Sequence, residues 1–200
     1  MSVAETSLSS APARSRAETR RRLVEAATEL FASGGLHGAT SARIAAAAGV
    51  ATGTFYLHFR DKEELFREIV FAALDTLRER TRRALQGVGS DPRAQVRART
   101  GELVAFAEEN RSLILVLFGR DHEGAGVGDA VLDALIPGIV EGLRQRAQAG
   151  QIAAELHAPV AAQAIAAMHS RVIAWWVEDP SRATRDEVIE TLCRMHPAHR

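Results

Sequence analysis

No part of this 200-residue chain alternates apolar and polar residues with period two. That constrains the fold more than any other feature, because a half-buried strand needs such alternation. The chain shows helical spacing instead. Leu23, Ala26, Ala27, Leu30 and Phe31 recur at i, i+3, i+4, i+7 and i+8 and share one face. The expectation is an all-α protein without internal repeats.

Punctuation divides the helical pattern. Residues 1–15 mix Ser, Ala, Pro and Thr without a period and read as a disordered tail. The first helix is expected from Arg16 to Gly34-Gly35, where glycine takes a left-handed cap cheaply. Thr40 caps a short second helix that Gly49 ends. A third spans about 51–58. Asp61 and Glu64 have capping-box spacing and open a long fourth helix. This gives a tail (1–15), a three-helix domain (16–60) and a larger helical domain (61–200). In the larger domain Asp91-Pro92 starts a fifth helix and Leu113–Phe118 reads as a short apolar one. Gly119–Gly128 reads as a mobile loop. A helix from about Asp129 to Ala149 should kink at Pro137-Gly138. A long apolar helix covers Pro159–Val177, and Thr184-x-x-Glu187 caps the last.

Net charge is zero, yet residues 1–62 carry +3 and the remainder −3, which fits either a polyanion partner of the N-terminal part or ordinary scatter of surface charge. The single cysteine, Cys193, excludes an intramolecular disulfide. Arg14 to Arg22 interrupts any signal-peptide core, and Gln163, His169 and Arg171 interrupt the most apolar stretch, so no membrane span is expected. The chain reads as soluble and cytoplasmic.

The segment TGTFYLHFRDK, Thr52 to Lys62, holds the only tyrosine, Tyr56, and the only lysine, Lys62. Three short helices over 16–59, the last two joined across Gly49, have the layout of a helix-turn-helix DNA reader. Ile44, Val50, Phe55 and Phe59 would fill its core with Leu23, Leu30 and Phe31. Thr52, Gly53, Thr54, Tyr56 and His58 remain as small or hydrogen-bonding groups on an exposed face. Hydroxyls donate to phosphate oxygens, threonine also suits base edges and thymine methyls, and Gly53 allows close backbone approach. Lys62, in the first turn of the fourth helix, would add charge at an anion site. Thr40, Ser41 and Arg43 on the second helix complete the expected DNA surface. Arg14 or Arg16 would neutralise a further phosphate or enter a minor groove.

The run TSARIAAAAGVATGTFYLHFRDKEELF, Thr40 to Phe66, resembles the N-terminal domain of TetR-type transcriptional repressors. The likeness extends over Ala17–Leu65. Ile44-Ala45, then Ala48-Gly49-Val50, then Gly53-Thr54-x-Tyr56-x-His58-Phe59, then Lys62-x-x-Leu65 stand at the family's spacing. One departure is Ala51, where the family often has a capping Ser; the cap is then missing or shifts to Thr52. The resemblance implies an all-helical homodimer that reads a palindromic operator through recognition helices roughly 34–36 Å apart. Its subunits would meet through Pro159–Val177 and Thr184–Met195, with the small residues Ala161, Ala162, Ala164, Ala166 and Ala167 permitting close packing. It also implies a cavity in the larger domain whose occupation lowers operator affinity.

Candidate ligand contacts there are Phe106, Phe118, His122, His169, Trp175 and Trp176. The bland readings compete: a solvated loop for His122 between Asp121 and Glu123, and core packing for the aromatics. No metal spacing, carboxylate pair, Ser-His-Asp grouping or phosphate-binding glycine loop is present, so no enzyme, cofactor or metal is expected. The expected function is a repressor released from DNA by a small, hydrophobic effector. The alternative is a helix-turn-helix regulator without a small-molecule ligand.

Overall fold

Gly35 bends the first helix where the sequence predicts its end. In the computed structural model, which describes residues 11–120 and 125–199, α1 runs Ala11–Gly38 and Gly35 inside it stands at φ 66°, ψ −177°. That conformation is cheap only without a Cβ. The chain makes one more turn to Gly38. α1 also begins upstream of Arg16, since the alanines and arginines there are strong helix formers. Residues 1–10 of the expected tail lie outside the described residues.

The chain divides into two compact units between Ile69 and Val70. The first holds α1, α2 (Ser41–Ala47), α3 (Thr52–Tyr56) and the start of α4 (Lys62–Gln86). Leu23, Ala27, Phe31, Leu36, Ala39, Ile44, Ala45, Phe55, Phe59, Leu65 and Phe66 are buried in it. Phe31 meets Phe66 edge to face at 5.2 Å between centroids, the arrangement that opposed ring quadrupoles favour. Leu30 and Val50, expected in this core, are only half-buried.

Two arginines tie the helices of this unit together. Arg22 donates to the carbonyls of Ala48 and Gly49 in the α2–α3 turn. Gly49 has φ +66°, and a Cβ there would stand 2.7 Å from the Arg22 guanidinium. Arg20 grips Glu68 with two bonds of 2.6 Å and lies 4.4 Å over the Phe59 ring.

The second unit holds the rest of α4, then α5 (Pro92–Glu109), α6 (Arg111–Phe118), α7 (Ala125–Gln148), α8 (Ala158–Glu178) and α9 (Arg185–Arg194). A 3₁₀ turn at Pro180–Arg182 and another at Pro197–His199 flank α9. Caps form where the sequence announces them. Asp91 accepts from the amides of Arg93 and Ala94, and Thr184 and Glu187 make the reciprocal capping box. α7 begins at Ala125, inside the expected glycine loop, and continues through Pro137 as one element. Pro137 and Gly138 face solvent, where water can satisfy carbonyls that lose their helical partner.

Among the described residues no helix is long and apolar enough to cross a membrane. Cys193 is buried as a free thiol.

Candidate nucleic-acid interface and cavity

The exposed surface of the first unit is built around a five-residue helix. α3 has Ala51 at its N-cap and no side-chain cap bond, so the missing Ser is not replaced by Thr52. Phe55 is fully buried and fixes the rotation of α3. That rotation leaves Thr52, Gly53 and Tyr56 exposed and Thr54 half-buried. Tyr56 is 57% exposed, yet its ring rests edge-on against Phe55 at 5.3 Å. The phenol is thus held on a fixed stem with its hydroxyl outward. The hydroxyls of Thr52 and Thr54 make no hydrogen bond among the described residues.

Thr40 caps α2 by accepting from the Arg43 amide at 3.2 Å. Ser41 is half-buried and Arg43 exposed. The Arg43 guanidinium folds back to donate to the Gly38 carbonyl. His58 is half-buried, and desolvation, then the charges of Arg16 and Arg20, hold its ring below the ordinary histidine value. It is therefore neutral near pH 7. Arg16 donates to the Leu57 carbonyl at 3.3 Å.

Lys62 has a task that its sequence position hides. Its ammonium donates to the carbonyls of Leu36 at 2.7 Å and Ala39 at 3.1 Å. These lie at the C-terminal end of α1, where carbonyls lack helical partners and the dipole favours a cation. Two of its three donors are spent inside the protein.

The second unit encloses a cavity of about 580 Å³. Its walls come from α4, α5, α6, α7 and α8, and the wall is mostly Leu, Ile, Val, Phe and Ala. Phe106, Phe118 and His169 line it. His169 donates from Nδ1 to the Ile165 carbonyl at 2.8 Å. Among the described residues the polar lining consists of Arg78, Arg82, Arg99, Arg146, His169, His196, Thr81, Thr100 and Ser170, with no carboxylate.

Residues 23–69 match the family model for bacterial regulatory proteins of the tetR family. The first unit therefore carries a TetR-family DNA-binding helix-turn-helix domain. The chain is 28% identical to the HTH-type transcriptional repressor BepR of Brucella suis biovar 1 over 173 residues, 80% of this chain and 81% of that one. A 52-residue stretch is 44% identical to the HTH-type transcriptional regulator AcrR of Shigella flexneri, over 26% of this chain and 24% of that one. The fold is shared with the transcriptional regulator FadR of Bacillus subtilis in complex with stearoyl-CoA, at a TM-score of 0.70 and 19% identity. That match covers 90% of this chain and 98% of that one.

Two residues that sequence reasoning placed near a ligand lie elsewhere. Trp176 is buried in the core and donates from its ring N–H to the Ala183 carbonyl at 2.8 Å. Trp175 is 39% exposed and carries the Arg182 guanidinium over its ring at 5.3 Å. Neither lines the cavity, because neighbours on a helix point about 100° apart and the cavity lies on the third side. His122, with Asp121 and Glu123, falls outside the described residues. Of the alanines expected to face a partner, Ala161, Ala162 and Ala166 are buried in the unit's own core, while Ala164 and Ala167 are exposed.

Sequence reasoning passed over Arg99, Arg146 and His196. A signal existed for the first two. Arg99 stands between Val96 and Leu103, and Arg146 three residues after Leu143, so each interrupts an apolar stripe at helical spacing. Among the described residues no group of three or more His, Cys, Asp or Glu is placed to hold a metal ion.

Proposed function

We propose that the protein is a ligand-responsive transcriptional repressor that binds a palindromic operator as a homodimer. The observation that carries this reading is the fixed row of outward groups, Thr52, Gly53 and Tyr56, on the α3 of a family-matched helix-turn-helix unit. Tyr56 and Thr52 hydroxyls donate to phosphates, Thr54 reads a base edge, and Arg43 supplies a positive charge. His58, neutral, donates one ring N–H. Lys62 works mainly from behind by fixing α1, with its third donor left for a phosphate.

Two copies meet through α8 and α9. Val160, Ala164, Ala167, Arg171 and Trp175 form an outward stripe along α8 at helical spacing, and Met195 is 63% exposed at the end of α9. Large exposed apolar groups in a row are characteristic of a covered face.

The 580 Å³ cavity favours this reading over a regulator without a ligand, since its size and apolar wall suit a small molecule. An effector that fits it and favours the dimer geometry that suits DNA badly lowers operator affinity by its differential binding. The reading is tested by Thr52→Ala with Tyr56→Phe in a DNA-binding titration. Loss of operator binding with unchanged helicity and oligomeric state supports it; unchanged affinity contradicts it.

A further inference from the structure

Arg99 on α5 and Arg146 on α7 face the cavity without carboxylate partners. Among the described residues Arg99 makes no hydrogen bond or ion pair, and Arg146 reaches only the Gln95 side-chain oxygen at 3.3 Å. The other two lining arginines differ: Arg78 pairs with Asp75 at 2.9 Å and Arg82 with Glu79 at 2.8 Å. His169 and His196 line the same cavity. The Nδ1 of His196 accepts from the Ala198 amide at 3.1 Å, which leaves Nε2–H as a donor in the neutral ring.

We propose that Arg99, Arg146 and the Nε2–H of His196 form an oxyanion site, so that the effector is an amphiphile with a hydrocarbon tail and a carboxylate or phosphate head. This rests on the reading of the cavity as the effector site and names the class of molecule it takes. Two guanidinium groups facing one space repel each other and lose hydration. An anion between them relieves both costs, and guanidinium forks match oxyanion geometry.

The electrostatics of the neighbouring groups agree. Desolvation, then the Arg99 charge, lowers Arg146, and desolvation lowers Arg99. Desolvation, followed by the charges of Arg146, His169 and Arg99, pushes His196 down to about 4. These groups thus share one positive field, and among the described residues no negative side chain of the lining balances it. The rest of the wall is mostly apolar, and its Leu, Ile, Val and Phe side chains take the tail.

The test uses the full-length protein and four matched probes: decanoate, decyl phosphate, decanoyl-CoA and decanol. Binding is followed by calorimetry, and operator release separately by fluorescence anisotropy. The proposal predicts that at least one anionic probe binds about ten- to a hundredfold more tightly than decanol. Arg99→Gln and Arg146→Gln each remove about tenfold or more of that preference without lowering the melting temperature of the empty protein, because each relieves repulsion. Arg146→Lys, which keeps the charge, retains part of it. Preference for decanoate identifies a free acid; preference for decyl phosphate or decanoyl-CoA identifies a phosphate-bearing one. Equal binding of decanol, unchanged anion binding in both glutamine variants, or no binding by any probe overturns the proposal. Anion binding through Arg99 and Arg146 that leaves the operator bound keeps the site and refutes the effector reading instead.

Discussion

The ammonium of Lys62 sits 2.7 Å from the carbonyl oxygen of Leu36 and 3.1 Å from that of Ala39. The only lysine in the chain closes the C-terminal end of α1 from the first turn of α4. Lys62→Met is therefore expected to lower the stability of the first unit by about 1–2 kcal/mol, since part-buried charge-assisted bonds are lost and two carbonyls lose their partner. Urea denaturation monitored by circular dichroism measures it. A variant as stable as the parent would show that the ammonium acts on DNA alone.

A side chain at Gly49 is expected to strain the turn and displace the Arg22 guanidinium. The glycine's φ is +66°, and any Cβ would stand 2.7 Å from the Arg22 guanidinium. Backbone strain thus combines with a clash against the group that holds the turn. Gly49→Ala should cost roughly 1–3 kcal/mol and weaken DNA binding with it. Differential scanning calorimetry gives the first quantity. A fully stable variant would contradict the clamp.

Tyr56 and Arg43 should separate by their response to salt. Tyr56→Phe removes a neutral hydroxyl and is expected to weaken DNA binding about fivefold at every salt concentration, leaving the salt slope unchanged. Arg43→Gln removes a charge and should reduce the slope by about one. Anisotropy titrations over a salt series distinguish the two. Identical slopes in parent and Arg43→Gln would place Arg43 away from phosphates.

Acid should destabilise the second unit before its carboxylates titrate. The His196 value is depressed from 6.5 to about 4 by burial first, then by Arg146, His169 and Arg99, and His169 is also depressed by burial. A folded-state value below the unfolded one means that the contribution is complete above pH 6.5 and is lost as pH falls towards 4. For His196 the loss is on the order of 2 kcal/mol after allowance for partial exposure. Denaturation midpoints from pH 7 to 4 should fall less steeply in His196→Gln. Equal slopes would remove His196 from the balance.

Much of the first unit was legible in the sequence, because its signals are local. The periodic stripe of α1 and the Thr40 cap each dictate a helix face or end through neighbours a few residues away, as Asp91 and Thr184 do in the second unit. Tyr56 follows from the spacing around Gly49 and Phe55. Contacts across long separations were not legible. Arg22 meets Ala48, Arg20 meets Glu68 and Lys62 meets Leu36 only after the helices pack, and sequence gives each of them merely a positive charge. The placement of the tryptophans was not legible for a similar reason: adjacency in the chain fixes the angle between Trp175 and Trp176 but not which side of α8 faces the cavity. Arg99 and Arg146 were visible as interruptions of apolar stripes, and that pattern gains a meaning only from the lack of facing carboxylates among the described residues.

The central claim is that a symmetric pair of these chains reads duplex DNA through α3. Selection of bound sequences from a random duplex pool, at low ionic strength and without added ligand, tests it most directly. The account predicts enrichment of an inverted repeat, bound by an even number of chains, which disappears in the Thr52→Ala, Tyr56→Phe double variant. Recovery of no inverted repeat, or enrichment that survives the double variant, would contradict it.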